Sequence, residues 1–219
     1  MPIDRERGLA FVHIPKTAGT AIEQAIGLHG DWRQEDRQRC FGRIRSEDLL
    51  AASLSSNFLQ HLSIRELQDL LRPELGQGLH HLWWFTVVRH PWTRLLSAFR
   101  RKDPDLCQLY AYRCDRDLHS LDLAAFIEVA AWLDHPHLRP QMRFLENAVV
   151  PVQRFRYEEL ARLCGALASH LQRPISLKRV NEPLLPLQEE SLPDRDRLLA
   201  RVAQIYAEDM DGLGYFETA

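Results

Sequence analysis

"FVHIPKTAGTAIEQAIG", residues 11–27, runs from apolar residues through a knot of small and hydroxyl residues around one lysine into a helical pattern. The apolar run from 9 to 14 has the length of a buried strand, and Ala21, Ile22, Ala25 and Ile26 recur on one helical face. Gly27 and Gly30 mark the end of that helix. The stretch is therefore a β-loop-α unit. A second one lies at "LWWFTVVRHPWTRLLSAF", residues 82–99. Its first seven residues form a continuous apolar strand, and Pro91 suits the first turn of a helix carrying Leu95, Leu96 and Phe99.

Between the two units, "SIRELQDLLRP" predicts a helix opened by a capping box, Ser63 with Glu66, lined by Leu67, Leu70 and Leu71 and stopped by Pro73. Further helices are expected at 121–133, 140–146, 157–171 and 192–209, with a strand at 149–155. Residues 31–56 mix Arg33, Arg37, Arg39, Arg43 and Arg45 with acids and read as a solvated helix or flap. Strands alternating with helices favour an α/β fold with a central parallel sheet flanked by helices. No repeat, low-complexity tract or linker divides the 219 residues, so 1–219 is expected to form one domain.

Composition narrows the function classes. A 45% hydrophobic and 26% charged chain is ordinary for a soluble globular protein. The net charge of −2 gives no global basic field for nucleic acid. No apolar run is long enough to span a bilayer, and "MPIDRERGLA" lacks a signal-peptide core, so a cytoplasmic protein without membrane contact is expected. Cys40, Cys107, Cys114 and Cys164 lack the spacing of a zinc site or a disulfide framework.

Chemistry concentrates in the two loops. In "PKTAGT" small residues let backbone N–H groups approach an anion, the following helix adds its positive end, and Lys16, Thr17 and Thr20 add a charge and two hydroxyls. The order differs from GxxxxGK[ST], because Lys16 precedes Gly19. An ordinary capped turn is the plain alternative. Arg89 ends a buried strand, at the edge where open α/β sheets bind ligands, and Ser97 lies two helical turns on. Together they suit a second phosphate, the alternatives being a strand-end salt bridge for Arg89 and a surface hydroxyl for Ser97. Arg94 reads as structural, paired with an acid.

"FVHIPKTAGTA" with "FTVVRHPWTRLLSAF" resembles the paired signatures of sulfotransferases that use 3′-phosphoadenosine 5′-phosphosulfate (PAPS), in the branch similar to carbohydrate sulfotransferases and heparan sulfate 2-O-sulfotransferase. The resemblance implies a P-loop-like three-layer fold and a PAPS donor, with no metal. It places Lys16 on the 5′-phosphate and the bridging oxygen, has Thr17, Ala18, Gly19, Thr20 and Ala21 line the phosphosulfate, and has Arg89 and Ser97 hold the 3′-phosphate. Family members commonly carry Ser or Thr where this chain has Ala21, which removes one hydroxyl donor. "QHLSIRELQDLL", "HLRPQMRFL", "RFRYEEL", "RVNEP" and "IYAEDMDGLGY" are similar, more loosely, to later family segments in the same order.

By the same resemblance the acceptor is a hydroxyl of a carbohydrate or small molecule, and His61, before the capped helix, is the base that takes its proton. A structural histidine beside the cap is the alternative, with Glu66 as a fallback base. His13 is expected to pack beside the first loop or to orient it and His90 to cap the helix after Arg89, while His80 and His81 read as surface residues. Lys178 or Arg179 would reach the donor from the C-terminal side or form a solvated basic turn. Trp83 and Trp84 would pack in the core or wall a sugar site. An ATP-dependent small-molecule kinase, and a nucleotide-binding relative without catalysis, are the competing functions.

Overall fold

The computed structural model describes residues 1–45, 54, 56–71, 79–146, 148, 150–178 and 192–215. In chain order, strands β1 (Ile3–Asp4) and β2 (Leu9–Val12) precede helices α1 (Gly19–Ile26) and α2 (Ile64–Leu71). Strand β3 (Trp83–Val88) leads into α3 (Pro91–Arg101), α4 (Pro104–Cys114) and α5 (Leu123–Ala130). Strand β4 (Val152–Arg156) is followed by α6 (Leu160–Leu171), α7 (Arg195–Ile205) and α8 (Ala207–Gly212). The strands form one sheet in the order β1-β2-β3-β4. β2, β3 and β4 run parallel, with Leu9 beside Trp83 and Trp84 beside Val152, and β1 adds an antiparallel edge.

Alternation across the pleat explains why the strands read as unbroken apolar runs. Ala10, Val12, Trp84 and Val88 face one core with Ile64 and Leu67 of α2, Phe144 and Met210. Leu9, Phe11, Phe85, Val87 and Phe155 face the other, against Ile22 and Ile26 of α1 and Leu163 and Leu167 of α6. The result is a three-layer α/β fold with a mostly parallel sheet at its centre. A further cluster, formed by Trp92, Leu96, Leu106, Phe126, Ile127, Val202 and Tyr206, joins α3, α4, α5 and α7 into a helical layer beside it. Because β2 and β3 are parallel neighbours, the loops after them emerge side by side.

Several expected elements differ in detail. The segment 140–146 forms only a 3₁₀ turn, Gln141–Phe144, whose leading amides are capped by a distant side chain: Asp209 accepts from Gln141 N at 2.8 Å and from Met142 N at 2.9 Å. The last expected helix is broken into α7 and α8 at Tyr206, whose backbone leaves the helical region and whose buried hydroxyl donates to Leu138 O at 2.6 Å. Helix α4 fills a stretch that carried no assignment. Among the described residues of 31–56 there is no helix; short bridges pair Asp36 with Phe41 and Arg43 with Phe58, and Glu35 holds both Arg37 and Arg45. Residues 46–53 and the RVNEP segment with Arg179 lie outside the described residues.

Arg94 corrects another expectation. The residue is 1% exposed, and its guanidinium donates to three carbonyls, Pro15 O at 3.1 Å, Arg139 O at 2.9 Å and Pro136 O at 3.2 Å. Fixed carbonyl dipoles take the place of the expected acid and tie the loop after β2 to the segment 135–141. Replacing Arg94 with Met strands those acceptors inside the protein, and the stability lost is about 3 kcal/mol. Urea denaturation checks it, with a midpoint equal to wild type as the contrary result.

Candidate functional site

The loop after β2 is bent by two non-glycine residues in the left-handed region, Lys16 at φ 71° and Ala18 at φ 70°. Each costs about 1 kcal/mol or more, so the surroundings must hold them. Thr17 is buried and its hydroxyl donates to Ile14 O at 2.7 Å, while Arg89 Nη1 donates to Lys16 O at 3.2 Å. Thr17 thus uses its hydroxyl inside the loop and has only its backbone amide to offer a ligand. The first helical amide to find a partner is Ile22 N, on Ala18 O. Among the described residues, the backbone amides of residues 16–21 have no acceptor. Converging unpaired amides ahead of a helix form an anion nest. Thr20 adds an exposed hydroxyl, and Ala21, half-buried, adds none.

Packing beneath the loop dictates the glycine. His13 lies under Gly19, where an added Cβ would stand 1.9 Å from His13 Nε2. Glu23, one turn into α1 and 3% exposed, fixes that ring through a 2.6 Å contact to Nδ1. His13 therefore orients the loop from below.

Arg89 is seated by its backbone and its side chain. Gln141 mimics a neighbouring strand: its Oε1 accepts from Arg89 N at 2.9 Å and its Nε2 donates to Arg89 O at 2.8 Å. Asp209, fully buried, accepts from Gln141 in turn. The side chain donates to Thr93 Oγ1 at 3.0 Å and stacks over Tyr157, with the guanidinium carbon 4.0 Å from the ring centroid. Ser97 sits half-buried further along α3, its hydroxyl without a hydrogen bond among the described residues. His90 caps α3, accepting from Trp92 N at 3.2 Å.

His61 ends a 3₁₀ turn and is the meeting point of rings from distant segments. His13 lies 4.6 Å away, His137 5.5 Å and Phe58 6.2 Å between centroids, all edge-on. Its Nδ1 is enclosed without a hydrogen-bond partner. Burial first, then the nearby imidazoles, pushes its pKa well below the usual histidine value, so the ring is neutral at pH 7. Glu66 closes the capping box with Ser63 and also meets Arg139, which leaves it committed to structure.

Lys16 Nζ lies 2.9 Å from Asp103 Oδ2, and His137 Nδ1 stands 3.0 Å from the same oxygen. Burial lowers the Lys16 pKa, and Asp103 opposes that shift. The carboxyl, which burial alone would raise, is held below its usual range by His137 and Lys16. Neither Asp103 nor His137 stood out in the sequence. Asp103 looks like one more helix-opening acid before Pro104, and His137 is one of ten histidines. Trp83 packs on Phe85 and donates to Gln153, and Trp84 is buried, so both serve the core; His80, His81 and Lys178 are exposed. Among the described residues no group of His, Cys, Asp and Glu has the arrangement of a metal site, and no helix is long and apolar enough to cross a membrane.

Gly19→Ala is expected to cost about 1–3 kcal/mol by overpacking against His13. Adding His13→Ala should return part of that loss, and a double-mutant cycle by denaturation measures the coupling; strict additivity would contradict the contact. A family model described as "Sulfotransferase family" matches residues 1–215. No curated protein and no solved structure matches the chain.

Proposed function

The chain belongs to the sulfotransferase family, and from that premise we propose that it moves a sulfuryl group from PAPS to a hydroxyl of a carbohydrate or small-metabolite acceptor. The observation that carries the reading is the run of unpaired amides at 16–21, placed next to Lys16 and joined through Arg89 to the second loop. A ligand with a phosphosulfate at one end and a 3′-phosphate at the other suits two such neighbouring grips.

In this reading the nest binds the 5′-phosphosulfate, and Arg89 with Ser97 holds the 3′-phosphate. The acceptor oxygen bonds to sulfur as the bond from sulfur to the bridging oxygen breaks, and adenosine 3′,5′-bisphosphate leaves. Lys16 stabilises the charge growing on the bridging oxygen. Neutral His61 takes the acceptor proton. Alignment and charge stabilisation supply most of the acceleration, as in phosphoryl transfer.

Surface chemistry near His61 supports the carbohydrate half of the reading. Trp32 is 50% exposed, carries the Arg33 guanidinium 5.2 Å from its ring centre, and meets Phe58, which in turn meets His61. An exposed indole of this kind stacks on the apolar face of a sugar.

Calorimetry with adenosine 3′,5′-bisphosphate, ADP and ATP tests the donor. The bisphosphate should bind preferentially, and Arg89→Ala should weaken it by about tenfold or more, the equivalent of 1.4 kcal/mol. Equal or tighter ATP binding would point to a kinase instead. His61→Ala should keep bisphosphate binding and lose about 10²–10⁴ in turnover. Since His61 is already neutral below its ordinary pKa of about 6.5, the acid limb of the wild-type rate profile should fall under that pH. Trp32→Ala should raise the acceptor KM without changing bisphosphate affinity.

A further inference from the structure

Asp103 occupies the N-cap of α4, where an aspartate ordinarily accepts an amide of the first helical turn. It makes no such bond. Its carboxylate turns back toward the first loop instead, with Oδ2 placed 2.9 Å from Lys16 Nζ and 3.0 Å from His137 Nδ1 and with Oδ1 accepting from Arg101 Nε at 3.1 Å. The Lys16 and Asp103 side chains are 11% and 16% exposed. One carboxylate oxygen thus holds the lysine meant for the leaving group and stands within reach of the His137 imidazole, which packs on the candidate base and whose Nδ1 makes no aligned hydrogen bond.

The other groups facing this cluster have settled partners. His135 Nδ1 accepts the His137 amide at 3.2 Å, which puts the His135 proton on Nε2, 3.2 Å from Asp105. His13 is held by Glu23, and Arg89 is held by Gln141, Thr93 and Tyr157. Arg101 stays on Oδ1. Movement of Lys16 therefore alters the charge seen by His137 and, through it, by His61.

Resting on the sulfuryl-transfer reading, we propose that Asp103 is a positioning residue that exchanges partners when the donor binds, holding Lys16 beforehand and serving the His137–His61 pair once Lys16 turns to the phosphosulfate. An ammonium leaving a carboxylate in a water-poor pocket uncovers a negative charge beside the two imidazoles. Their affinity for a proton rises, so the base is strengthened only when a donor is present. The proton that leaves the acceptor then finds His61 with a counter-charge already in place. Through this exchange, donor occupancy and base strength become linked.

The test follows proton linkage by calorimetry, titrating adenosine 3′,5′-bisphosphate in buffers of different ionisation enthalpy at one pH near 7. Protons belonging to the ligand are common to all variants, so the difference between variants isolates the protein. Wild type is expected to take up more protons than Asp103→Asn. That variant should bind the bisphosphate as tightly as wild type or more tightly, since Lys16 is no longer held back, yet lose at least tenfold in turnover. His137→Gln, which keeps the Lys16–Asp103 pair, should also lose the extra uptake and serves if Asp103→Asn does not fold. Equal uptake in wild type and the variants, or a parallel loss of bisphosphate affinity and turnover in Asp103→Asn, would overturn the proposal. Failure of wild type to bind the bisphosphate at all would instead overturn the donor reading on which it rests.

Discussion

A buried cation held by backbone carbonyls organises the site. The Arg94 guanidinium reaches carbonyls of Pro15, Pro136 and Arg139, and in doing so sets the loop after β2 against the segment that carries His137 and Gln141. Burial lowers the pKa of this group, with the Tyr206 and Asp209 environment opposing the shift. A planar fork of donors can satisfy three carbonyls from two separate segments at once, which an ammonium cannot do with the same geometry. The strained backbone at Lys16 and Ala18 persists because this clamp and the Arg89–Lys16 bond hold it from both sides.

Parallel pairing then supplies proximity. β2 and β3 lie side by side in register, so Lys16 and Arg89 leave the same edge of the sheet although they are far apart in sequence. The later parts of the chain act as braces for that edge. Gln141 satisfies the Arg89 backbone as a neighbouring strand would, Asp209 anchors Gln141, and Tyr206 ties α7 to Leu138. Near the C-terminal end, Tyr215 and the His90 amide share Glu158, and Arg156 reaches the carbonyls of Leu213 and Gly214. The segments at 137–145, 154–160 and 205–215, unspecific one at a time, converge on Arg89 and its neighbours.

Much of the framework was legible because it depends on local rules. Apolar strands, the helical faces of α1 and α3, Pro91 after the strand and the Ser63–Glu66 capping box are all short-range patterns. Helix ends were less legible: Tyr206 breaks α7 from α8 through a tertiary hydrogen bond, and the 140–146 region closes only the 3₁₀ turn Gln141–Phe144. Arg94 was expected to find an acid, since pairing with carbonyls requires knowing which loops fold over it. Thr17 was expected to offer its hydroxyl to a ligand, but loop closure consumes it.

By itself, then, the amino-acid sequence determined the two β-loop-α units, the lysine and arginine at their loops and the α/β layering, because hydrophobic period and turn chemistry act within a few residues. Only the tertiary structure decided that His13 lies under Gly19, that His61 meets His137, and that Asp103 is shared by Lys16 and an imidazole. Apart from the first, these are contacts across long stretches of chain between side chains that are individually ordinary. Their chemistry comes from burial and from the charges brought beside them, and neither exists until the helical layer closes over the edge of the sheet.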